Sequence, residues 1–201
     1  MKDFVKHSYQ KHYHNIGFDR SRLFELIQKK FNCQTVLYPG CYIHITPSFY
    51  FAHVVYVDRN QISHDFFTKK VQVTEFVNTH KKYMKSSYVK FLSKDYHDDL
   101  GLREQSYDLL ISIFGGKLIC SCEKYIKPGG LILTNSFFSD HQSIENNNHF
   151  ELICSIHCYH GNYKIIDDQV CKVGKRKSTL KKVNSDFEYV DNENYYIYQK
   201  H

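Results

Sequence analysis

No apolar run in this chain approaches the roughly 18 residues that a membrane-spanning helix needs, so no transmembrane segment is expected. The opening stretch MKDFVKHSYQKHYHN has no apolar core, which predicts no secretory leader. No Cys-x-x-Cys pair occurs, and the seven cysteines are odd in number without a repeating spacing. Reduced thiols in a cytoplasmic compartment are therefore the expectation. Cys120 and Cys122 are separated by one residue, and Cys154, His157, Cys158 and His160 fall within seven. Neither spacing supplies the convergent four-ligand set of a structural zinc, so buried thiols and ordinary histidines are expected, and no metal. Internal repeats and linker-like stretches are also lacking. A chain of 201 residues without them reads as one domain, 1–201, long enough to bury a full core. At 42% hydrophobic and 24% charged it has a globular composition. Its net charge of +6 is mild and does not by itself point to nucleic acid.

What is present begins with residues 35–58. A short apolar run, Thr35 to Tyr38, stops at Pro39-Gly40, and a second, Val54 to Val57, ends in Asp58. A Gly-containing turn followed about twenty residues later by an acid is the layout of a nucleotide-binding α/β unit. Before it, Asp19 is placed to cap a helix whose Leu23, Leu26, Ile27 and Phe31 share one face. The first eighteen residues are polar and aromatic without clear period, and a flexible terminus is expected there. Thr46-Pro47-Ser48 opens a short helix. Residues 60–84 read as two helical pieces divided near Thr68-Lys69-Lys70. Residues 88–93 form a strand, and the run YDLLISIF at 107–114 reads as a strand covered on both faces. Residues 117–126 fit a helix, Lys127-Pro128-Gly129-Gly130 a sharp turn, and 131–134 a fifth strand. Periodicity leaves 150–158 open between strand and helix. Residues 163–167 and 195–198 read as strands, and 172–182 as a basic loop. Alternating strands and helices over 20–135 imply an α/β fold: a Rossmann-like, doubly wound, mostly parallel sheet with helices on both faces. Ligands of such sheets bind at the carboxyl ends of the strands.

Four landmarks, TVLYPGCY, VVYVD, FLSKDYHDDL and YDLLISIFGG, followed by YIKPGGLILTN, resemble in their order the class I S-adenosylmethionine-dependent methyltransferases. The resemblance spans about residues 35–135 and extends to an antiparallel C-terminal strand. It divides the chain into an N-terminal polar segment and helix (1–33), a cofactor-binding half (34–135), and C-terminal strands with the basic loop (136–201). It implies S-adenosylmethionine as cofactor and S-adenosylhomocysteine as product. It places Tyr38, Pro39, Gly40 and Cys41 against the amino-acid end, Asp58 on the ribose hydroxyls with Arg59 beside it, and Asp95 and Tyr96 at the adenine. Phe114 and Gly115 then border the methionine portion and face the acceptor. A carboxylate can accept from both hydroxyls of a vicinal diol, and a glycine at position 40 lets the backbone come close.

The chain departs from the family where Tyr38 stands for an acid and where Tyr42 and His44 stand for glycines. Side chains there imply either a rebuilt loop that holds the cofactor by other means, or a closed site on a retained scaffold serving as a binding or interaction module. The absence of [DNS]PP[YFW] after the fourth strand argues against amino-methylation of adenine or glutamine, and no Pro-Cys pair argues for cytosine chemistry. A small-molecule or peptide acceptor is left, with no membrane partner and no nucleic acid expected; oligomeric state is not legible. His12, His14 and His44 are the candidate general bases. An oxidoreductase would need Gly-x-Gly-x-x-Gly, where the chain has GCYIHI. Nucleic-acid binding would rest on residues 172–182, which lack interleaved aromatics.

Overall fold

The computed structural model describes residues 3–114, 117–135, 144, 147–159, 161–167, 179–182, 188–191 and 193–201. The chain opens with α1 (Phe4–Tyr9), continued by a π-helical turn at Gln10–His14, then α2 (Ser21–Phe31), β1 (Thr35–Pro39), a 3-10 turn at Thr46–Phe49 and β2 (His53–Val57). Helices α3 (Gln61–Phe67) and α4 (Lys70–His80) lead to β3 (Tyr88–Leu92). Then come β4 (Tyr107–Ser112), α5 (Leu118–Cys122), a 3-10 turn at Glu123–Tyr125 and β5 (Ile126–Asn135). Strands β6 (Phe150–Tyr159), β7 (Asn162–Asp167), β8 (Thr179–Lys182), β9 (Glu188–Asp191) and β10 (Asn194–Lys200) follow.

Eight strands form one sheet in the order β3-β2-β1-β4-β5-β10-β6-β7, and β8 and β9 pair separately. Strands β1 to β5 are mutually parallel, and β10 lies between β5 and β6, antiparallel to both. The expected architecture, a mostly parallel Rossmann-like sheet with an antiparallel C-terminal strand, is what the chain adopts. β4 explains the unbroken apolar run. Leu109 and Ile111 enter the core beneath α1 to α4, while Leu110 enters the core beneath α5. With both faces covered, no position of the strand's centre is left for a polar residue. Leu23, Phe24 and Ile27 of α2 are fully buried on the first face, each worth about 1.5–3 kcal/mol relative to exposure.

Several local expectations change. The N-terminal segment is helical and packed: Val5, Tyr9 and Tyr13 are buried at intervals of four. Intervals of four are a helical spacing, carried here by only three positions, two of them tyrosines, among polar neighbours. The N-cap of α2 is Arg20, in the left-handed region at φ 53°, and the Asp19 carboxylate reaches past it to accept from the Ser21 N–H at 2.9 Å. The helix expected over 117–126 is only α5 and a 3-10 turn, because Ile126 is already paired with Tyr107 as strand. The Lys-Pro-Gly-Gly segment lies within β5, where the register against β4 shifts between Tyr107 and Leu109. Residues 150–158 are strand. Of the basic loop, 179–182 is β8, and 172–178 lie outside the described residues. Among the described residues no helix is long and apolar enough to cross a membrane.

Candidate functional site

The turn after β1 is set by Gly40, at φ 65°, whose N–H donates to the Val57 carbonyl at 2.8 Å. That bond folds the chain over the carboxyl end of β2 and brings the turn to Asp58. Asp58 Oδ2 accepts from the Tyr42 N–H at 2.7 Å, and Oδ1 accepts from the Asn60 N–H at 2.8 Å. Tyr42 itself sits at φ 48°. A side chain in this region costs about 1–2 kcal/mol, so the loop keeps a glycine-like backbone without the glycine, held in place by the carboxylate. One bond on each oxygen leaves further lone pairs of Asp58 to accept from a ligand.

A cavity of about 230 Å3 opens above these groups, lined by Gly40, Asp58, Arg59, Lys94, Asp95, Tyr96 and His97. Asp95 is fixed from two sides, accepting from the His97 N–H at 3.0 Å and from Arg59 Nη1 at 2.9 Å. The His97 bond first, then the Arg59 charge, holds its carboxyl below the usual carboxylate range. His97 Nδ1 lies 2.8 Å from Ser121 Oγ, and Lys94 Nζ donates to the Asp99 carbonyl at 3.0 Å. A Cβ on Gly40 would come 3.9 Å from the Tyr96 ring and 3.8 Å from Leu118 and would narrow the cleft between them.

The other side of the turn is filled. His44 is buried, its Nδ1 3.1 Å from the Tyr38 hydroxyl and its Nε2 3.0 Å from the Asp19 carbonyl, with the Tyr13 ring stacked on it at 4.6 Å. Burial, with Arg20 nearby, pushes His44 down to about 3 and leaves it neutral. The Tyr9 hydroxyl meets Thr46 Oγ1 at 2.8 Å, and Ser48 Oγ meets the Tyr56 hydroxyl at 2.7 Å. The run His44-Ile45-Thr46-Pro47-Ser48 is thus a buried staple between the N-terminal segment and the sheet. Beside it, Arg20 Nη2 pairs with Glu193 Oε2 at 3.1 Å, with both side chains buried. Glu193 also accepts from Asn135 Nδ2 at 2.6 Å and from the Tyr195 hydroxyl. The Arg20 guanidinium packs 3.8 Å above the Phe18 ring and 5.3 Å from the Phe114 ring. Burial opposes that charge, and Glu193 more than restores it.

Of the residues singled out from sequence, Gly40, Asp58, Arg59, Asp95 and Tyr96 converge on the one cavity. Tyr38, Pro39 and Cys41 are buried and are not among its lining residues, and burial, reinforced by Asp58, raises the Cys41 thiol well above its ordinary value. Phe114 packs against Phe18 and Arg20 instead, and Gly115 lies outside the described residues. Among the candidate bases, His44 has both ring nitrogens engaged, His14 faces solvent 3.6 Å from Asp19, and the His12 ring meets Tyr42 edge-on at 5.7 Å. Sequence reading missed Lys94 and His97, which flank Asp95. It also missed the Arg20–Glu193 pair, whose members stand 173 positions apart with no local pattern joining them. Among the described residues no group of three or more His, Cys, Asp or Glu is placed to hold a metal ion.

A parallel sheet whose β1–β4 switch point lies between a Gly turn and an acid-ended second strand, closed by an antiparallel strand inserted beside β5, is the fold of the class I S-adenosylmethionine-dependent methyltransferases. Among solved structures the chain resembles a methyltransferase from Geobacter sulfurreducens at 11% identity and a TM-score of 0.55, over 97% of this chain and 87% of that one. It resembles N-methyltransferase NodS from Bradyrhizobium japonicum at 10% and 0.53, over 90% and 93%. The YcgJ protein from Bacillus subtilis aligns at 12% and 0.53, over 89% and 97%. No family model and no curated protein matches the sequence.

Proposed function

We propose that the chain is an S-adenosylmethionine-dependent methyltransferase acting on a small molecule or a peptide group. The observation that carries this reading is the convergence of Gly40, Asp58 and Tyr96 on one cleft at the carboxyl ends of β1, β2 and β3. The residues fit the adenosyl end of the cofactor. Asp58 has acceptor capacity left for the ribose hydroxyls, Tyr96 offers a ring face to adenine, and Gly40 leaves the approach open. Small-molecule pockets start at about 300 Å3, so a cleft of about 230 Å3 suits the nucleoside part rather than the whole cofactor. The bound sulfonium would supply an electrophilic methyl group to an acceptor nucleophile in line with the carbon–sulfur bond, the thioether of S-adenosylhomocysteine being what leaves. The protein's own part is then to orient the adenosine, align the acceptor and exclude water. The proton lost by a hydroxyl or ammonium acceptor needs a base; with His44 sealed in the core, His12, whose ring meets Tyr42 edge-on, and the solvent-facing His14 are the candidates left. A cytoplasmic setting goes with this reading.

A second reading, a methyltransferase-like binding module without catalysis, rests on the staple alone. Tyr13 on His44 and the buried Arg20–Glu193 pair occupy the side of the turn where the amino-acid end of the cofactor would pass. Isothermal titration with S-adenosylmethionine and S-adenosylhomocysteine separates the two. The methyltransferase reading expects saturable binding of both, weakened by about 1–3 kcal/mol in Asp58→Ala. No heat at millimolar ligand would remove the enzymatic proposal and leave the module.

A further inference from the structure

Strand β3 ends the eight-stranded sheet and, among the described residues, pairs only with β2. The Tyr88 N–H donates to the Ala52 carbonyl at 2.7 Å, and the Leu92 carbonyl accepts from the Asp58 N–H at 3.2 Å, so the backbone groups of residues 88 and 92 face β2. By strand alternation those of Val89 and Phe91 face away, and none of their four N–H and C=O groups has a hydrogen-bond partner among the described residues. A cavity of about 550 Å3 runs along this edge. Its apolar side is Phe67 and Val73 from the α3–α4 layer with Val89 and Phe91 from the strand. Its charged groups are Lys70 and Lys90, neither with an acidic partner among the described residues. Residues 61–92 as a whole carry six lysines against two acids, a net of +4 out of the chain's +6.

An exposed edge with open backbone groups recruits another strand unless something prevents it. A second copy of this chain is disfavoured, because a symmetric antiparallel pairing centred on β3 sets Lys90 opposite Lys90, and like charges directly opposite are destabilising. A polyanion without side chains suited to the apolar groove would leave Val89, Phe91 and Val73 uncovered. We propose that the β3 edge is a docking site for an extended acidic segment of a partner protein, added to the sheet as a further strand. Alternation assigns its side chains: apolar residues enter the groove beside Val73 and Phe91, and acidic residues at the intervening positions lie on the Lys90 face. Lys90 then has two effects, resisting self-pairing and selecting a partner of opposite charge. The proposal is independent of methyl transfer.

Fluorescence anisotropy on the full chain tests it with a labelled peptide of alternating Val and Glu, and a second of alternating Val and Lys. The acidic peptide is expected to bind saturably and at least about tenfold more tightly than the basic one. Lys90→Glu is expected to reverse that order. Val89→Pro deletes an outward N–H and no bond to β2, and is expected to weaken both peptides. Circular dichroism and urea midpoints check that each variant is folded; if Val89→Pro is not, the charge reversal at position 90 decides alone. Equal binding of the two peptides, or indifference to Lys90→Glu, overturns the proposal. So does a single-stranded oligonucleotide that displaces the acidic peptide and binds Val89→Pro as well as the wild type, since the face would then attract anions by charge alone.

Discussion

His44 and the Arg20–Glu193 pair are single residues whose burial has measurable consequences. Position 44 is where the family places a glycine, and its imidazole is instead sealed between Tyr13 and Tyr38. Its folded value of about 3 lies below the unfolded value of about 6.5, so the folded state binds fewer protons over that interval. The stability this neutral ring contributes is complete above pH 6.5 and is lost as pH falls toward 3. Between pH 7.5 and 5.5 the loss is about 1 kcal/mol from this residue. Urea midpoints at the two pH values should show that loss in the wild type, and a smaller one in His44→Gln. An equal pH dependence in the two proteins would place the ring in water. The ion pair makes a different demand. Removing one partner strands a buried charge, so Glu193→Ala is expected to cost about 3–5 kcal/mol by chemical denaturation. The double change Arg20→Met with Glu193→Leu should recover most of it, because it is the unpaired charge, rather than the lost attraction, that destabilises. Neither environment was legible in the sequence. Each is made by contacts between segments far apart in the chain, and an isolated His, Arg or Glu carries no sign of its burial.

Among the elements, those whose sequence is self-consistent could be read directly. The two helices around Thr68-Lys69-Lys70, the doubly covered β4 and the acid-ended β2 all follow from local pattern. The N-terminal segment escaped because its helical face, Val5, Tyr9 and Tyr13, is short and mostly tyrosine among polar neighbours, and β6 stayed open because a half-buried strand of ten residues is long enough to pass for a helix. The Lys-Pro-Gly-Gly segment was legible as a signal, but its two glycines are needed for different reasons. Gly129 lies at φ 74° with nothing closer than 4.0 Å to a would-be Cβ, so Gly129→Ala should cost about 1–2 kcal/mol from backbone conformation alone. Gly130 would place a Cβ 2.6 Å from Ile126 Cγ2 and 2.8 Å from the Lys127 carbonyl oxygen. Backbone cannot swing aside as a side chain can, so Gly130→Ala should cost at least as much and should move β5 against β4. Thermal unfolding ranks the two variants, and amide exchange at Tyr107 and Leu109 reports the displaced register. Unchanged protection there would mean that the strand absorbs the methyl without shifting.

At the scale of the whole molecule, the carboxyl rim of the sheet has an open end and a filled one. The open end, over β1, β2 and β3, holds the cleft with Asp58 and Tyr96. Toward β4, β5 and β10 the rim is occupied by Arg20, Asn135, Glu193 and Tyr195, with Phe18 against Phe114, and the N-terminal segment lies over the turn through Tyr9 and Tyr13. Composition and landmark order could point to the rim; which part of it is covered depends on how residues 3–20 fold back, and no local pattern encodes that. The unequal halves make a distinct prediction for the proposed cofactor. Adenosine needs only the open end, whereas the amino-acid tail of S-adenosylhomocysteine must compete with Tyr13 and its contacts. By titration calorimetry, adenosine and S-adenosylhomocysteine should therefore bind the wild type within about tenfold of one another, the tail's own contacts being offset by the cost of displacing the stacked ring. Tyr13→Ala removes that ring from His44 and should raise the affinity for S-adenosylhomocysteine by several-fold while leaving adenosine unchanged. If the wild type already prefers S-adenosylhomocysteine by several orders of magnitude, and Tyr13→Ala weakens it, then Tyr13 is a contact of the tail instead of its obstacle, and the covered half of the rim belongs to the binding site in the conformation described.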